Sequence, residues 1–334
     1  MKPIIIFGAS VMGEELLKLG IKPACFVDND VKKQKKFFHG YGVLSFEELR
    51  RTYPEATIII AAHRYYEEIL EQVEPYYTDI YRLSHPEVNS FHGWQLPRLN
   101  IVVTEKCTLR CKNCSSLMPL YKKPKHCNVG VLIASMLKVF DCFNHIGRVE
   151  VLGGEPFLNL ELPFILEHLV QLNKTSNIEV VTNGTIVPPQ KVLHKLEGMP
   201  ITIVVNNYGS NRSKLINALE KANIPYRENT HWSWANLGGF HKRHRYHEEL
   251  VSLFKRCNFN TCSELLNGYL YRCPRSSHGT NLDLIPLFPS DFVDIYGGSN
   301  LGEKVNQLYA KEYLCACDYC DGNTRETLNV KAGS

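Results

Sequence analysis

The run Cys107-Thr-Leu-Arg-Cys111-Lys-Asn-Cys114 gathers three thiols within one short turn of chain. Thiolates are the soft ligands that hold iron–sulfur clusters. Four of them make a closed site suited to passing electrons, whereas three leave one iron open to chemistry. The Cys-x-x-Cys half alone equally suits a structural zinc ion. Zinc explains neither the spacing of the third cysteine nor the later Gly153-Gly154-Glu155-Pro156, which follows the strand pattern Val149-Glu-Val-Leu152. Taken alone, the glycine pair is an ordinary strand-end turn.

A second group comprises Cys257, Cys262 and Cys273, then the pair Cys317-Asp-Tyr-Cys320 with Cys315 beside it. Leu266 to Pro274 reads as a hairpin that delivers the Cys273 thiolate. Cys257, Cys262, Cys273, Cys317 and Cys320 are five thiols for the four places of a closed site, and spacing does not choose among them. A zinc ribbon would share the pattern. Cys25, Cys127 and Cys142 stand outside both groups and are most simply buried or incidental thiols.

Together the cysteine triplet, the apolar Leu99-Asn-Ile-Val-Val103 before it and the Gly-Gly-Glu-Pro segment resemble radical S-adenosylmethionine (SAM) enzymes. The resemblance implies that Cys107, Cys111 and Cys114 hold a [4Fe-4S] cluster whose open iron chelates SAM. One electron then breaks SAM to methionine and a 5′-deoxyadenosyl radical, which abstracts a hydrogen atom from the substrate. It also implies that Gly153, Gly154, Glu155 and Pro156 orient SAM, and it sets Asn183 and Asn206, at two later strand ends, near it; as plain residues these two are ordinary turn formers. The family often has an aromatic residue immediately before the third cysteine, where this chain has Asn113. The C-terminal cysteines resemble a twitch or shortened SPASM extension, which implies one auxiliary [4Fe-4S] cluster.

The elements that must position these residues alternate strand and helix. Ile4 to Phe7, the turn Gly8-Ala-Ser10-Val-Met-Gly13, a helix to Leu19 and a strand Ala24 to Val27 ending in Asp28 read as a βαβ unit. Its small residues and Asp28 could hold a nucleotide phosphate and ribose, though Ser10 stands where a dinucleotide fingerprint has its second glycine. Residues 1–88 therefore read as a Rossmann-like domain, and they resemble the N-terminal domain of some nucleotide-sugar acyltransferases. A structural or dimerising domain is the alternative. Residues 89–98 read as a linker, 99–250 as a partial (β/α)6-type parallel barrel with its site at the strand C-terminal ends, and 251–334 as the auxiliary-cluster domain. The fold class is α/β.

Trp232, Trp234 and the basic run holding Arg243 and Arg245 could bind an anionic substrate, the arginines by bidentate phosphate contacts; core packing and a solvated loop are the alternatives. Lys32 to Lys36 reads as a solvated loop.

The chain has 334 residues, 44% of them hydrophobic, and a formal net charge of +4, too mild for a nucleic-acid partner. No apolar run reaches the roughly 20 residues of a membrane span, and Met1 leads into structure without a signal peptide, so a cytoplasmic enzyme is expected. Nine of its 12 cysteines lie in the two groups, which fits metal ligation in a reducing compartment better than disulfides.

The expected function is hydrogen abstraction from a small polar substrate, with a nucleotide-linked sugar foremost. A one-electron reductant such as flavodoxin or ferredoxin is the partner. Electron transfer to the auxiliary cluster would give oxidation; hydrogen return from a cysteine would give epimerisation. Modification of a ribosomally made peptide is a second possibility, though a Rossmann-like segment and not a winged-helix-like one opens the chain. A non-enzymatic zinc-binding scaffold is a third.

Overall fold

The computed structural model of the chain describes residues 2–18, 20–62, 65–82, 95–206, 208, 212–229 and 233–331. It divides into two compact units, one up to Pro97 and one from Arg98. Among the described residues no helix is long and apolar enough to cross a membrane. Trp232 and residues 89–94 of the expected linker lie outside the described residues.

The first unit runs β1 (Ile4–Phe7), α1 (Val11–Lys18), β2 (Cys25–Val27), β3 (Phe37–Phe38), β4 (Tyr41–Leu44), α2 (Phe46–Thr52), β5 (Thr57–Ile60), α3 (Tyr66–Val73) and β6 (Ile80–Arg82). The sheet order is β3-β4-β2-β1-β5-β6, parallel throughout except for β3 on β4. Ile5, Phe7, Ile58 and Ile60 pack on one face with Leu49, Leu70 and Val73 of α2 and α3. Ile6, Phe26 and Ile59 pack on the other with Leu16 of α1. Helices on both faces explain why these strands are continuously apolar and do not alternate. A capping box between Ser45 and Glu48 starts α2.

Lys33 departs from the solvated loop expected of its run. Its Nζ donates to the Ala9 carbonyl and to Asp28 Oδ2, each at 3.0 Å.

β7 (Gln95–Thr104) spans the division at Pro97, so residues 95–98 belong to a strand and not to the expected linker. There follow α4 (Val129–Asp141), β8 (His145–Gly153), α5 (Leu162–Gln171), β9 (Thr175–Thr182), α6 (Gln190–Leu196), β10 (Thr202–Asn206), α7 (Arg212–Lys221) and β11 (Tyr226–Asn229). After β12 (Ser233–Ala235) come α8 (His247–Arg256), β13 (Ser263–Leu266), β14 (Tyr269–Tyr271), α9 (Pro274–Asn281), β15 (Phe292–Asp294), α10 (Leu301–Tyr309) and β16 (Asn329–Lys331).

One sheet carries the order β11-β10-β9-β8-β7-β13-β14-β15. β8 to β11 are parallel neighbours in chain order, the pattern that strand–helix alternation gives. The sixth parallel strand does not lie beyond β11. It is β13, on the far side of β7, where Ser263 pairs with Leu99. From there the sheet continues antiparallel through β14 and β15.

The expected boundary at residue 250 falls inside α8, and the cysteine-rich segment shares the main sheet. A two-stranded hairpin is marginal alone, and pairing with β7 removes its open edge. Asn267 and Gly268 both take positive φ, 51° and 85°, in the two-residue turn between β13 and β14, as a primed hairpin turn requires.

Candidate active site

Cys107, Cys111 and Cys114 follow the C-terminal end of β7 and line one cavity of about 510 Å³. The loop that carries them is a series of tight turns. The Cys114 N–H donates to the Cys111 carbonyl at 3.3 Å, and the Leu117 N–H donates to the Cys114 carbonyl at 3.0 Å. Asn113 sits at φ 62°, a conformation that asparagine tolerates better than an aromatic residue. That accounts for its place before the third cysteine. Leu117, buried and at φ 55°, adds local backbone strain next to the thiols.

The end of β8 is stitched to this loop. Gly154 N–H donates to the Thr104 carbonyl at 3.0 Å and Glu155 N–H to the Lys106 carbonyl at 2.8 Å. A Cβ on Gly153 would lie 2.2 Å from the Thr104 carbonyl oxygen, and one on Gly154 would lie 2.3 Å from that of Lys106. Only residues without a side chain permit this approach. Gly153 and Gly154 line the cavity; Glu155 and Pro156 do not.

The Glu155 carboxylate turns inward, fully buried. It accepts from Asn183 N–H at 2.9 Å, Phe157 N–H at 3.1 Å and Thr182 Oγ1 at 2.8 Å. Burial pushes its pKa up to about 7, against those donors, which pull it down. Glu155 therefore braces the end of β9 from behind the cavity and does not line it, so any part it has in orienting SAM runs through the residues it holds. Asn183, so braced, lines the cavity and aims Nδ2 at Cys107 Sγ, 3.6 Å away, and at Thr108 Oγ1, 2.9 Å away. Asn206 lines it too, with a buried Oδ1 that has no partner among the described residues.

Charged residues of the same cavity escaped the sequence reading. Arg98 meets Glu150 at 2.6 Å and Arg227 meets Glu179 at 2.8 Å, with Arg148 between the two carboxylates at 3.8 and 3.9 Å. Arg148-Val149-Glu150 alternates along β8, so every second side chain of an apparently apolar strand faces the cavity. Tyr208 and Trp234 complete the wall, their rings 6.0 Å apart.

The second cysteine group separates in the structure. Cys257, Cys273, Cys317 and Cys320 line one small cavity with Phe254, Leu314 and Ala316. Cys262 lines the first cavity instead. Cys315 sits in neither; its N–H donates to buried Asp291, which also accepts from Ala316 N–H.

Arg243 and Arg245 are structural, correcting their expected role at a substrate anion. Arg243 donates to Asp321 and to the Gly239 and His241 carbonyls, while Arg245 Nη1 donates to the carbonyls of Cys317 and Cys320 at 3.1 and 2.9 Å. Turning the Cys317–Cys320 loop tightly leaves carbonyls without backbone donors, and the arginines supply them.

Both thiol sets suit iron–sulfur ligation. Burial raises the pKa of Cys107, Cys114, Cys273, Cys317 and Cys320, so a thiolate at any of them needs a compensating positive centre. Backbone N–H donors already point at sulfur: Leu109 at Cys107 and Phe259 at Cys257, both at 3.4 Å, and Gly322 at Cys320 and Asn323 at Cys257, both at 3.3 Å. Such bonds are weak to thiols and strong to thiolates, and they tune cluster potentials. Among the described residues no three His, Cys, Asp or Glu side chains converge as ligands of a single metal ion would. Cys25, Cys127 and Cys142 play no part: Cys25 is buried in the first unit's core, Cys127 accepts from Asn159 and Cys142 donates to the Lys138 carbonyl.

In the first unit Gly8, Ser10 and Asp28 line a cavity of about 500 Å³ with Tyr65 and Glu68. Asp28 Oδ2 there accepts from Ala9 N–H at 3.0 Å as well as from Lys33. Gly13 stands behind the turn, where a Cβ would lie 2.3 Å from the Gly8 carbonyl oxygen.

No family model matches the chain. A GTP 3′,8-cyclase of Clostridium acetobutylicum is 32% identical over 99 residues, which is 29% of this chain and 30% of that protein. A probable GTP 3′,8-cyclase of Archaeoglobus fulgidus is 27% identical over 148 residues, 39% of this chain and 46% of that protein. The matches thus span less than half of these curated relatives. Among solved structures, BtrN in complex with AdoMet and 2-DOIA aligns with 67% of this chain and 92% of its own, at a TM-score of 0.41 and 13% identity. Streptococcus suis SuiB bound to S-adenosylmethionine aligns with 51% of this chain and 45% of its own, at 0.34 and 19%. Likeness at those TM-scores carries no weight for fold or chemistry.

The α/β chain thus gathers three thiols at one parallel-strand end, packed against a glycine pair at the next. The similarity to GTP 3′,8-cyclases supports assigning the chain to the radical SAM superfamily.

Proposed function

We propose that this chain abstracts a hydrogen atom from a small polar substrate, a nucleotide-linked sugar, in an oxidation or an epimerisation. The observation that carries the proposal is the single cavity shared by Cys107, Cys111, Cys114, Gly153, Gly154, Asn183 and Asn206. Its volume lies within the range of small-molecule sites. A [4Fe-4S] cluster held by the three thiols, with SAM on its open iron, would supply a 5′-deoxyadenosyl radical there.

The chain's own residues bind and orient. Gly153 and Gly154 give backbone access beside the thiols, and Asn183 donates toward Cys107 while presenting a polar edge to the cavity. The Arg98, Arg148 and Arg227 guanidiniums, held by Glu150 and Glu179, make a polar lining suited to hydroxyl and phosphate groups. Tyr208 and Trp234 offer aromatic faces for a sugar or base. Cys257, Cys273, Cys317 and Cys320 would hold a second [4Fe-4S] cluster for electron exchange with the reductant.

The Gly8, Ser10 and Asp28 cavity in the first unit is the candidate nucleotide site, where the turn's backbone would meet phosphate. Asp28 Oδ2 takes the Ala9 N–H and Lys33 contacts and Oδ1 accepts from Asp30 N–H at 2.9 Å, so a ribose hydroxyl would share Oδ1 with that backbone donor.

Anaerobically reconstituted, reduced protein should form 5′-deoxyadenosine faster with one of UDP-glucose, UDP-N-acetylglucosamine or GDP-mannose than without sugar. A background rate that no sugar changes would reject the nucleotide-sugar substrate and favour a peptide. Colourless protein that takes up zinc would support the scaffold reading.

A further inference from the structure

We infer that Cys262 is a catalytic thiol of the active-site cavity, placed to return a hydrogen atom to the substrate, and not a ligand of the second cluster. The inference rests on the hydrogen-abstraction reading above and deepens it toward epimerisation.

The first observation is the separation of the thiols. Cys257, Cys273, Cys317 and Cys320 already supply four ligands around one small cavity, and Cys262 is not among its lining residues. Cys262 is only 4% exposed, yet it lines the cavity that holds Cys107, Cys111 and Cys114. The 3-10 turn Asn258–Thr261 aims it there, closed by the Cys262 N–H to Phe259 carbonyl bond at 3.0 Å.

Strand register gives the second. Ser263 pairs with Leu99, so Cys262 is level with Arg98, near the start of β7, whereas the cysteine triplet follows Thr104 at its end. Six residues of strand separate those levels, roughly 20 Å at about 3.3 Å per residue. The radical source and the thiol therefore approach the cavity from different ends, and a substrate carbon between them can lose hydrogen toward one and gain it from the other.

The third is Asn206, which lines the same cavity, is 8% exposed and has an Oδ1 without a partner among the described residues. A buried acceptor of this kind is costly unless a ligand supplies a donor. A sugar hydroxyl would.

The step balances. The Cys262 S–H bond breaks and a C–H bond forms on the substrate radical, leaving a thiyl radical. One electron from the flavodoxin- or ferredoxin-class reductant and one proton from solvent restore the thiol. The substrate is isomerised without net oxidation.

The test compares reconstituted native protein with Cys262→Ala, Cys262→Ser and Cys273→Ala, first without any substrate. Iodoacetamide should alkylate Cys262 in the cluster-loaded native protein. Cys262→Ala and Cys262→Ser should keep the native iron content, whereas Cys273→Ala loses about half of it. Protection of Cys262 together with iron loss in both of its variants would make it a ligand and overturn the inference.

In D2O with UDP-glucose, UDP-N-acetylglucosamine and GDP-mannose, native protein should place deuterium on carbon in one recovered sugar. The ratio of labelled sugar to 5′-deoxyadenosine should fall to background in both Cys262 variants. Persistent labelling in them overturns the hydrogen-return role while leaving hydrogen abstraction intact. If no sugar stimulates 5′-deoxyadenosine in native protein, the substrate reading fails and the role of Cys262 toward these sugars fails with it, while the alkylation result still decides its placement.

Discussion

A Cβ on Gly154 would lie 2.7 Å from the Cβ of Cys107, closer than side-chain carbons pack. The glycine pair and the first cysteine are thus one packed unit, with the end of β8 laid on the loop that leaves β7. Gly154→Ala should displace Lys106 and Cys107. The expected result is a loss of roughly 1–3 kcal/mol in stability and of iron from the first site, read by chemical denaturation and iron analysis. Native iron content in a folded variant would show that the loop can give way.

The Arg245 guanidinium holds the carbonyls of Cys317 and Cys320. Arg245→Ala leaves both without that donor, at roughly 1–3 kcal/mol each if buried. The second cluster should become labile, with about half of the iron released by mild chelation. Sugar-phosphate affinity should not change, since Arg245 lies outside the active-site cavity.

Cys315 stands beside the Cys317–Cys320 pair in sequence, yet it belongs to the turn capped by Asp291. Cys315→Ser should keep the native iron content, and Cys317→Ser should not. Electron paramagnetic resonance of the reduced proteins distinguishes the two outcomes.

Glu155 gives a pH dependence whose sign follows from its burial. Its carboxyl titrates at about 7 when folded and near 4.5 when unfolded, so between those values the folded chain binds more protons. Its contribution to stability is full below pH 4.5, declines as pH rises to 7 and is flat above. The whole span is on the order of 3 kcal/mol. Glu155→Gln should remove this slope, measured by denaturation at stepped pH, while lowering stability overall because its amide cannot accept all the donors that the carboxylate does.

The sequence carried much of this layout because its chemistry is local. A short apolar run such as Ile4 to Phe7, bounded by turn residues, fits a strand covered on both faces, and Asn267-Gly268 is a strong hairpin signal. Thiol spacing likewise announced two separate groups of thiols. What it could not carry depended on long-range register. The pairing of Ser263 with Leu99 puts β13 beside β7 and sends Cys262 to one cavity and Cys257 to another, although only four residues lie between them. The basic run at Arg243 read as a binding loop because nothing local reveals that its partners are carbonyls some seventy residues on. That the Glu155 carboxylate is capped by Thr182 and Asn183 is likewise visible only in the fold.

The central claim is that Cys107, Cys111 and Cys114 support radical SAM cleavage. It is tested most directly by quantifying 5′-deoxyadenosine from SAM in reduced, anaerobically reconstituted native protein beside Cys111→Ala. Native protein should form it and the variant should not, while the variant keeps about half of the iron on its C-terminal cysteines. Equal yields from both proteins, or none from native protein with its iron fully loaded, would contradict the account.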